Sequence, residues 1–256
     1  MLTPYLFFCT VTLDQNNLNG QIPPEIQTFV SLEKVTLFNN KLLGMIPSTM
    51  NKLSRLDALD LEQNEFSGNP FSSLPSNLRT LRLSANQFDG EIPASIGDFG
   101  LLEELWIAEN SFRGTIPAEI GDLRALGTKS NLHSIECVIT YTHIVALVTS
   151  ESLFIYSNSI EGVLPAQMGL LRLRQLQAQS NRLEGQIPED FWENRGMKIL
   201  RLENNNLNGK LSSNVGNLQG LEDFRLTNNK FTGELPTSLF NIQNLRECLM
   251  AGVSIE

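Results

Sequence analysis

LEELWIAENSFRGTIPAEIGDL, residues 102–123, contains the pattern on which the chain is built. The same spacing occurs in LEKVTLFNNKLLGMIPSTMNKL, residues 32–53, and both stretches fit LxxLxLxxNxLxGxIPxxIxxL. The central asparagine stands two residues before an apolar side chain and four before a glycine. It recurs at nine positions, which are Asn16, Asn40, Asn64, Asn86, Asn110, Asn158, Asn181, Asn205 and Asn229. The chain is therefore a repeat of about two dozen residues per unit.

A unit of this size cannot bury its own apolar side, and only stacking against neighbouring units creates a continuous core. Val35 and Leu37 alternate with polar neighbours, which predicts a short strand with one buried face. Successive strands should then form a parallel sheet. The asparagine amide can donate to and accept from the backbone of its own and adjacent coils, so the nine asparagines should form a structural ladder. The glycine permits a positive φ angle, and the proline that follows favours an extended outer wall.

These units resemble leucine-rich repeats, specifically the plant-type subclass with its G-x-[IL]-P step, as in Gly114 to Pro117. The resemblance covers residues 8–126 and 152–250. It implies an α/β-type solenoid, a curved right-handed superhelix with a parallel concave sheet of short strands and an outer wall of 3-10 and irregular segments. Such solenoids occur in ectodomains of plant receptor-like kinases, receptor-like proteins and polygalacturonase-inhibiting proteins. They bind peptides, small hormones, partner ectodomains or microbial enzymes.

We expect a single domain over residues 1–256, with about nine full units, a partial tenth unit and an irregular insertion at 127–150. The family's paired N-terminal cysteines are missing, and Val253 occupies the tenth ladder position, so the chain is interpreted as a fragment of a longer protein. The resemblance favours an extracellular or cell-surface location. The missing cysteines and the lack of Asn-x-Ser/Thr sites keep a cytoplasmic location open. Cys248 falls in a core position and is expected to be buried.

The composition restricts the classes of partner. A net charge of −9 disfavours nucleic acid, because phosphate would be repelled. No run of 18 apolar residues is present, so this segment is expected to make no membrane contact, although anchoring of the full-length protein stays open.

Catalysis has little support in the sequence, so we expect no enzyme activity and no cofactor. The two histidines, His133 and His143, lie near Cys137, but the spacing fits no zinc motif and no metal site is expected. Asp60 and Glu62 lie on one strand face and could mimic a catalytic pair. An open concave sheet, however, should offer too little burial to shift the pKa of either carboxyl.

The strand register identifies the residues that face outward from the sheet. Positions four and two residues before the ladder asparagines carry several aromatic side chains and an arginine in the middle of the array. We predict that they bind a protein or peptide ligand, since aromatic residues and arginine are common interface anchors. The predicted ligand-binding residues are Phe38, Arg82, Trp106, Phe154 and Tyr156. Two other interpretations stay open: packing of Trp106 on its neighbours alone, and an intracellular structural or scaffolding role for the whole chain.

The interval from Asn110 to Asn158 has twice the usual length. Joining Leu126 directly to Glu151 restores the repeat without a break. The added segment could be a degenerate coil, but that frame would place Lys129 and Glu136 in core positions, where unpaired charges are costly. We therefore favour a loop extruded from the solenoid, plausibly a translated intron. This model predicts that the strands at 105–107 and 153–155 pair directly.

Deletion of residues 127–150 should leave the free energy of unfolding unchanged or higher, because the repeat frame continues across the junction. Urea denaturation would measure this. The matched control deletes residues 176–199, a genuine unit of the same length, and should lower stability by removing one coil-to-coil interface. Equal losses for the two deletions would contradict the extruded-loop model.

Overall fold

The computed structural model describes residues 9–123, 125–126, 152–252 and 254–255. The predicted insertion at 127–150, with His133, Cys137 and His143, lies outside these residues. Each coil contributes a strand before its ladder asparagine, a second strand after it, and a 3-10 helix. The strands form two parallel ten-stranded sheets along the described chain, and strands are numbered in chain order so that the sheets alternate.

The first sheet consists of three-residue strands ahead of the asparagines. They are β1 Thr10–Thr12, β3 Lys34–Thr36, β5 Ala58–Asp60, β7 Thr80–Arg82, β9 Glu104–Trp106, β11 Ser152–Phe154, β13 Gln175–Gln177, β15 Ile199–Arg201, β17 Asp223–Arg225 and β19 Glu247–Leu249. Its outward side is called the concave face below.

The second sheet is formed by the residues that lie between the ladder position and the 3-10 helix of each coil. Its strands are β2 Asn19–Gly20, β4 Lys41–Gly44, β6 Glu65–Gly68, β8 Gln87–Glu91, β10 Ser111–Thr115, β12 Ser159–Val163, β14 Arg182–Gly185, β16 Asn206–Gly209, β18 Lys230–Gly233 and β20 Ser254–Ile255. The sequence pattern indicated an extended wall here, and the structure shows that this wall is itself a hydrogen-bonded sheet.

Short 3-10 helices complete the coils. They are η1 Pro24–Thr28, η2 Ser48–Lys52, η3 Phe71–Ser73, η4 Ala94–Asp98, η5 Ala118–Asp122, η6 Ala166–Leu170, η7 Glu189–Glu193, η8 Ser213–Asn217 and η9 Thr237–Asn241. Proline is the N-cap of all but η8, where the Ser212 hydroxyl accepts a bond from the Asn214 backbone instead. Proline suits this position because its fixed φ angle suits the start of a helix and no backbone donor is lost.

Each ladder asparagine from Asn40 to Asn229 joins its coil to the one before it. The Asn64 side-chain oxygen accepts from the Leu42 backbone N–H at 3.0 Å, and its amide donates to the Leu37 carbonyl of the preceding coil at 2.9 Å. The same amide also donates to the carbonyls of Leu61 and Glu62 in its own coil. One side chain thus satisfies backbone groups that no strand could reach, which is the role predicted for the ladder.

A left-handed residue precedes each ladder asparagine. The φ angles lie between 51° and 57° at Gln15, Asn39, Gln63, Ala85, Glu109, Ser157, Ser180, Asn204 and Asn228. This left-handed conformation costs a residue other than glycine roughly 1 kcal/mol or more. An inter-coil bond opposes that cost, because the Ala85 N–H, for example, donates to the Ala108 carbonyl at 3.0 Å. The sequence pattern gave no sign of this turn, since the residue type varies from coil to coil.

The repeated glycine meets two demands at once. Gly114 has a φ angle of +73°, and a Cβ there would lie 2.8 Å from Cγ of Glu91 on the preceding coil. A larger residue would therefore be strained and would also collide with its neighbour. Close packing of coils thus requires glycine at this position.

The core lies between the two sheets and the 3-10 helices. Leu81, Leu105 and Leu153 from the first sheet are fully buried. Phe88 stacks on Phe112 from the adjacent coil, with ring centroids 6.5 Å apart. The core therefore runs continuously along the solenoid axis, as the repeat predicts.

The sheet continues directly from β9 to β11. Leu105 pairs with Leu153 and Trp106 with Phe154, as expected from a frame that omits residues 127–150. Asn158 makes the standard ladder bonds across this junction, accepting from Phe112 N–H at 3.1 Å and donating to the Ile107 carbonyl at 3.1 Å.

Cys248 corrects one expectation. Its side chain is exposed, although it occupies a core position in the pattern. It lies on β19, the last strand of the first sheet, where the described chain places no further coil against it. A core position is buried only when coils cover it on both sides.

Replacing Asn64 by alanine should lower the free energy of unfolding by about 2 kcal/mol or more, because the buried Leu42 N–H loses its partner. Chemical denaturation would measure the loss. Asn16→Ala is the control, since Asn16 is exposed and, among the residues that the structure describes, donates only to Leu13 and Asp14 of its own coil. If the two variants lost equal stability, inter-coil bonding could not be the reason.

Candidate functional site: the concave face

Parallel pairing brings the predicted site residues into one row. Arg82 on β7 pairs with Trp106 on β9, which pairs with Phe154 on β11. All three are partly buried, and their side chains lie on the concave face because the residues on either side of each point into the core. Their order along the solenoid is therefore fixed by backbone register.

The aromatic side chains contact one another. The rings of Trp106 and Phe154 stack with centroids 4.9 Å apart at an interplanar angle of 28°. The ring of Tyr156, two residues further along the chain, has its centroid 6.4 Å from that of Phe154, with an interplanar angle of 50°. The three rings form a continuous shelf, called the aromatic shelf below, and such ring pairs are worth about 0.5–1.5 kcal/mol beyond area burial.

Arg82 bounds this shelf on one side. Its guanidinium carbon lies 4.2 Å from the centre of the Trp106 ring, a cation–π contact. Two of its nitrogens donate to Glu104 Oε2 at 2.9 and 2.8 Å, and a third lies 3.7 Å from Asp60. The guanidinium is thus held on three sides by groups of this chain.

Glu62 lies beside Arg82 and is only partly exposed. Its pKa is raised to about 7, mainly by burial and also by the negative charges of Asp60 and Glu104, while Arg82 and a hydrogen bond with Ser84 act in the opposite direction. Burial also raises the pKa of Asp60, where Arg82 opposes the shift. The expectation of unshifted carboxyls was wrong, because neighbouring side chains cover the sheet surface.

Two small residues on the same face are also buried beneath their neighbours. Ser84 and Ala108 follow Glu62 in the same column and precede Tyr156. Although both belong to the outward side of the sheet, Ser84 is 8% exposed and Ala108 is fully buried. Larger neighbours therefore lie across them. Burial and the nearby Glu109 raise the pKa of the Tyr156 phenol, with a smaller contribution from Glu62.

A second charged group lies further along the concave face. Two Arg201 nitrogens donate to Asp223 Oδ2 at 2.9 and 2.7 Å, and Arg225 contacts both Asp223 at 2.8 Å and Glu247 at 2.8 Å. The acidic partners lie six residues before a ladder position, a column that our sequence reasoning did not consider. Counting six residues back would have found Glu104 and Asp223.

Three buried polar atoms on the concave face have no hydrogen-bond partner among the described residues. They are Trp106 Nε1, which is a donor, and Gln179 Oε1 and Glu203 Oε2, which are acceptors. Buried polar groups are normally paired, so these three atoms are exceptions on this face.

Phe38 stands apart from the other predicted residues. It is partly buried and its backbone N–H donates to Asp14 at 2.9 Å. Within the described part of the chain, no ring contact joins it to the aromatic shelf. The structure thus brings together Arg82, Trp106, Phe154 and Tyr156 and leaves Phe38 outside.

Within residues 9–123 and 152–252, no group of three or more potential ligand side chains is placed to hold a metal ion. No helix in those ranges has the length and apolar character needed to cross a membrane.

Comparison with known proteins gives the same picture of the fold. The Leucine Rich Repeat family model matches residues 77–99, 101–123 and 220–242. No curated protein gives a significant match. The LRR ectodomain of the plant membrane receptor kinase GASSHO1/SCHENGEN3 from Arabidopsis thaliana, solved with CASPARIAN STRIP INTEGRITY FACTOR 2, is 28% identical with a TM-score of 0.77. The match covers 93% of this chain but 30% of that ectodomain.

Two other solved structures share the architecture. The Arabidopsis receptor kinase HAESA, solved with the peptide hormone IDA and the co-receptor SERK1, is 26% identical with a TM-score of 0.67, over 93% of this chain and 41% of its own. A plant ice-binding protein is 24% identical with a TM-score of 0.70, over 96% and 74% respectively, which shows the fold alone. The chain thus spans less than half of either receptor chain.

The fold and the repeats define a leucine-rich repeat solenoid. With its G-x-[IL]-P steps and its likeness to plant receptor-kinase ectodomains, the chain is a plant-type leucine-rich repeat protein.

Replacing Glu62 by glutamine should stabilise the fold at pH 8 by roughly 1–2 kcal/mol and change little at pH 5. The pKa in the folded chain, about 7, lies above the ordinary value of 4.5. The folded state therefore keeps a proton that the unfolded state has lost, so wild-type stability falls as the pH rises from about 4.5 through 7. Thermal melts across this range would show the difference.

The control is Glu184→Gln on the exposed side of β14, which should keep the wild-type pH profile. If the stability of the Glu62→Gln variant and that of the wild type changed in parallel with pH, the proposed effect of burial on Glu62 would be wrong.

Proposed function

We propose that this chain is a recognition module without catalytic activity, which binds a protein or peptide ligand through the concave face. The observation that carries the proposal is the aromatic shelf of Trp106, Phe154 and Tyr156 with Arg82 at its edge. A polar face would serve the solenoid equally well, because the core lies on the opposite side of the sheet. Large aromatic side chains on this face therefore favour contact with a partner.

Polar side chains beside the aromatic shelf support the same proposal. Gln179 and Glu203 lie on the coils that follow Tyr156 and are partly exposed. An extended peptide presents backbone donors and acceptors that can pair with such side chains, while the aromatic rings bury its apolar side chains. Both kinds of contact lie on one face, within consecutive coils.

The similar receptor structures support the class of ligand. Two of them were solved with a bound peptide or protein factor, and both share the solenoid at 26–28% identity. A fold of this kind hosts several functions, as the ice-binding protein shows, so the proposal depends on the residues of this chain. We further propose that the chain is part of a longer receptor-like or secreted recognition protein.

Replacing Trp106 by alanine should weaken binding of a selected peptide by about 2 kcal/mol, or about 30-fold, without unfolding the chain. Peptides would be selected from a displayed random library on the immobilised wild-type chain and their affinities measured by calorimetry. Circular dichroism would verify the fold of the variant.

Phe240→Ala is the matched control, because Phe240 is 74% exposed on η9, away from the concave face. Peptides that bind the wild type and the Trp106 variant equally, or selection that enriches none, would contradict the proposed site.

A further inference from the structure

The charges of the concave face are unequally paired. Arg82 is engaged by Glu104 and Asp60, and Arg201 by Asp223. Within the described residues, no cationic nitrogen lies within 4.0 Å of the Glu62 carboxylate, because the nearby Arg82 binds other partners. In that part of the chain Glu62 is thus a partly buried acid without an ion pair.

The groups that face Glu62 are mostly acidic. Asp60 lies two residues before it, at the end of β5, and Glu104 lies on β9, with Arg82 on the intervening β7 as the nearby cation. Asp14 and Lys34 act on Asp60 from the preceding coils. Ser84 supplies a hydrogen bond to Glu62, and Glu62 in turn contributes to the raised pKa of the Tyr156 phenol. The balance around the carboxylate is negative.

The arginines further along the face are already engaged, Arg201 with Asp223 and Arg225 with Asp223 and Glu247. Charge complementarity on this surface therefore calls for a ligand group rich in donors and positive in charge.

We propose that the occupant of the concave face is an extended peptide with a basic side chain that pairs with Glu62 while neighbouring apolar side chains lie on the aromatic shelf. A lysine or arginine fits because it carries donors and no acceptor. This inference rests on the proposed function and specifies the chemistry of the ligand.

Binding of a cation favours the ionised carboxylate, so it should displace the proton that Glu62 holds near neutral pH. Affinity for a basic peptide without histidine should therefore rise as the pH increases from 5.5 to 8, by up to about tenfold per pH unit below the pKa. A peptide that ignores Glu62 has no such dependence.

The experiment selects a displayed random peptide library in parallel on the wild-type chain and on the Glu62→Gln variant. Wild-type selection should enrich peptides that carry lysine or arginine at a fixed distance from an aromatic or aliphatic residue. The variant should lose the basic preference and keep the apolar one. Glu184→Gln, on the other sheet, serves as the control and should select as the wild type does.

A pair of synthetic peptides tests the ion pair directly. Replacing the selected arginine by citrulline, which is neutral and of the same shape, should weaken binding to the wild type by at least tenfold and leave binding to Glu62→Gln unchanged. The wild-type affinity for the arginine peptide should rise with pH, and the variant's should not.

The outcomes separate the two proposals. Selection that enriches no peptide, or peptides indifferent to Trp106→Ala, would overturn the proposed function. Peptides that need Trp106 but are acidic or neutral, or that keep their basic residue on Glu62→Gln, would leave the function standing and overturn the assignment of a cationic ligand group.

Discussion

The hydrogen bonds of the asparagine side chains are the constraint on which the rest of the solenoid depends. Asn86 accepts from the Phe66 N–H of the preceding coil and donates to the carbonyls of Leu61, Leu83 and Ser84. These backbone groups belong to the turn that leaves the first sheet, where strand pairing ends. Without the amide they would be buried and unpaired, at a cost of about 1–3 kcal/mol each. Stacking of coils, and with it the row of site residues, follows from this one contact.

The same constraint separates the scaffold from the surface that it presents. Ladder, glycine and inward apolar residues fix the path of the chain, while the concave positions make few contacts with the core. Side chains on this face can therefore differ between coils, and the chain uses that freedom unevenly. Its aromatic rings are concentrated on the coils around β9 and β11, with Arg82 at their edge and other paired arginines further on.

Sequence reasoning predicted the features that depend on periodicity. The ladder, the first sheet, the positive φ angle of the repeated glycine and the adjacency of Trp106 to Phe154 all follow from counting residues. It missed the burial of Glu62, which depends on how the neighbouring side chains are arranged. It also missed the left-handed turn at residues such as Ala85, which inter-coil bonding stabilises and for which the residue type gives no signal.

The junction between β9 and β11 has an entropic consequence. Asn158 reaches the Ile107 carbonyl over 51 residues of sequence, whereas Asn110 reaches the Leu83 carbonyl over 27, yet the two bonds have nearly the same length, 3.1 and 3.0 Å. Closing a loop of twice the length costs only about 0.6 kcal/mol more, since the entropy grows with the logarithm of length. A repeat chain can therefore acquire extra sequence between two coils at small thermodynamic cost, provided that the segment leaves the frame of the ladder intact. At such junctions a solenoid protein can accept inserted sequence and keep its fold.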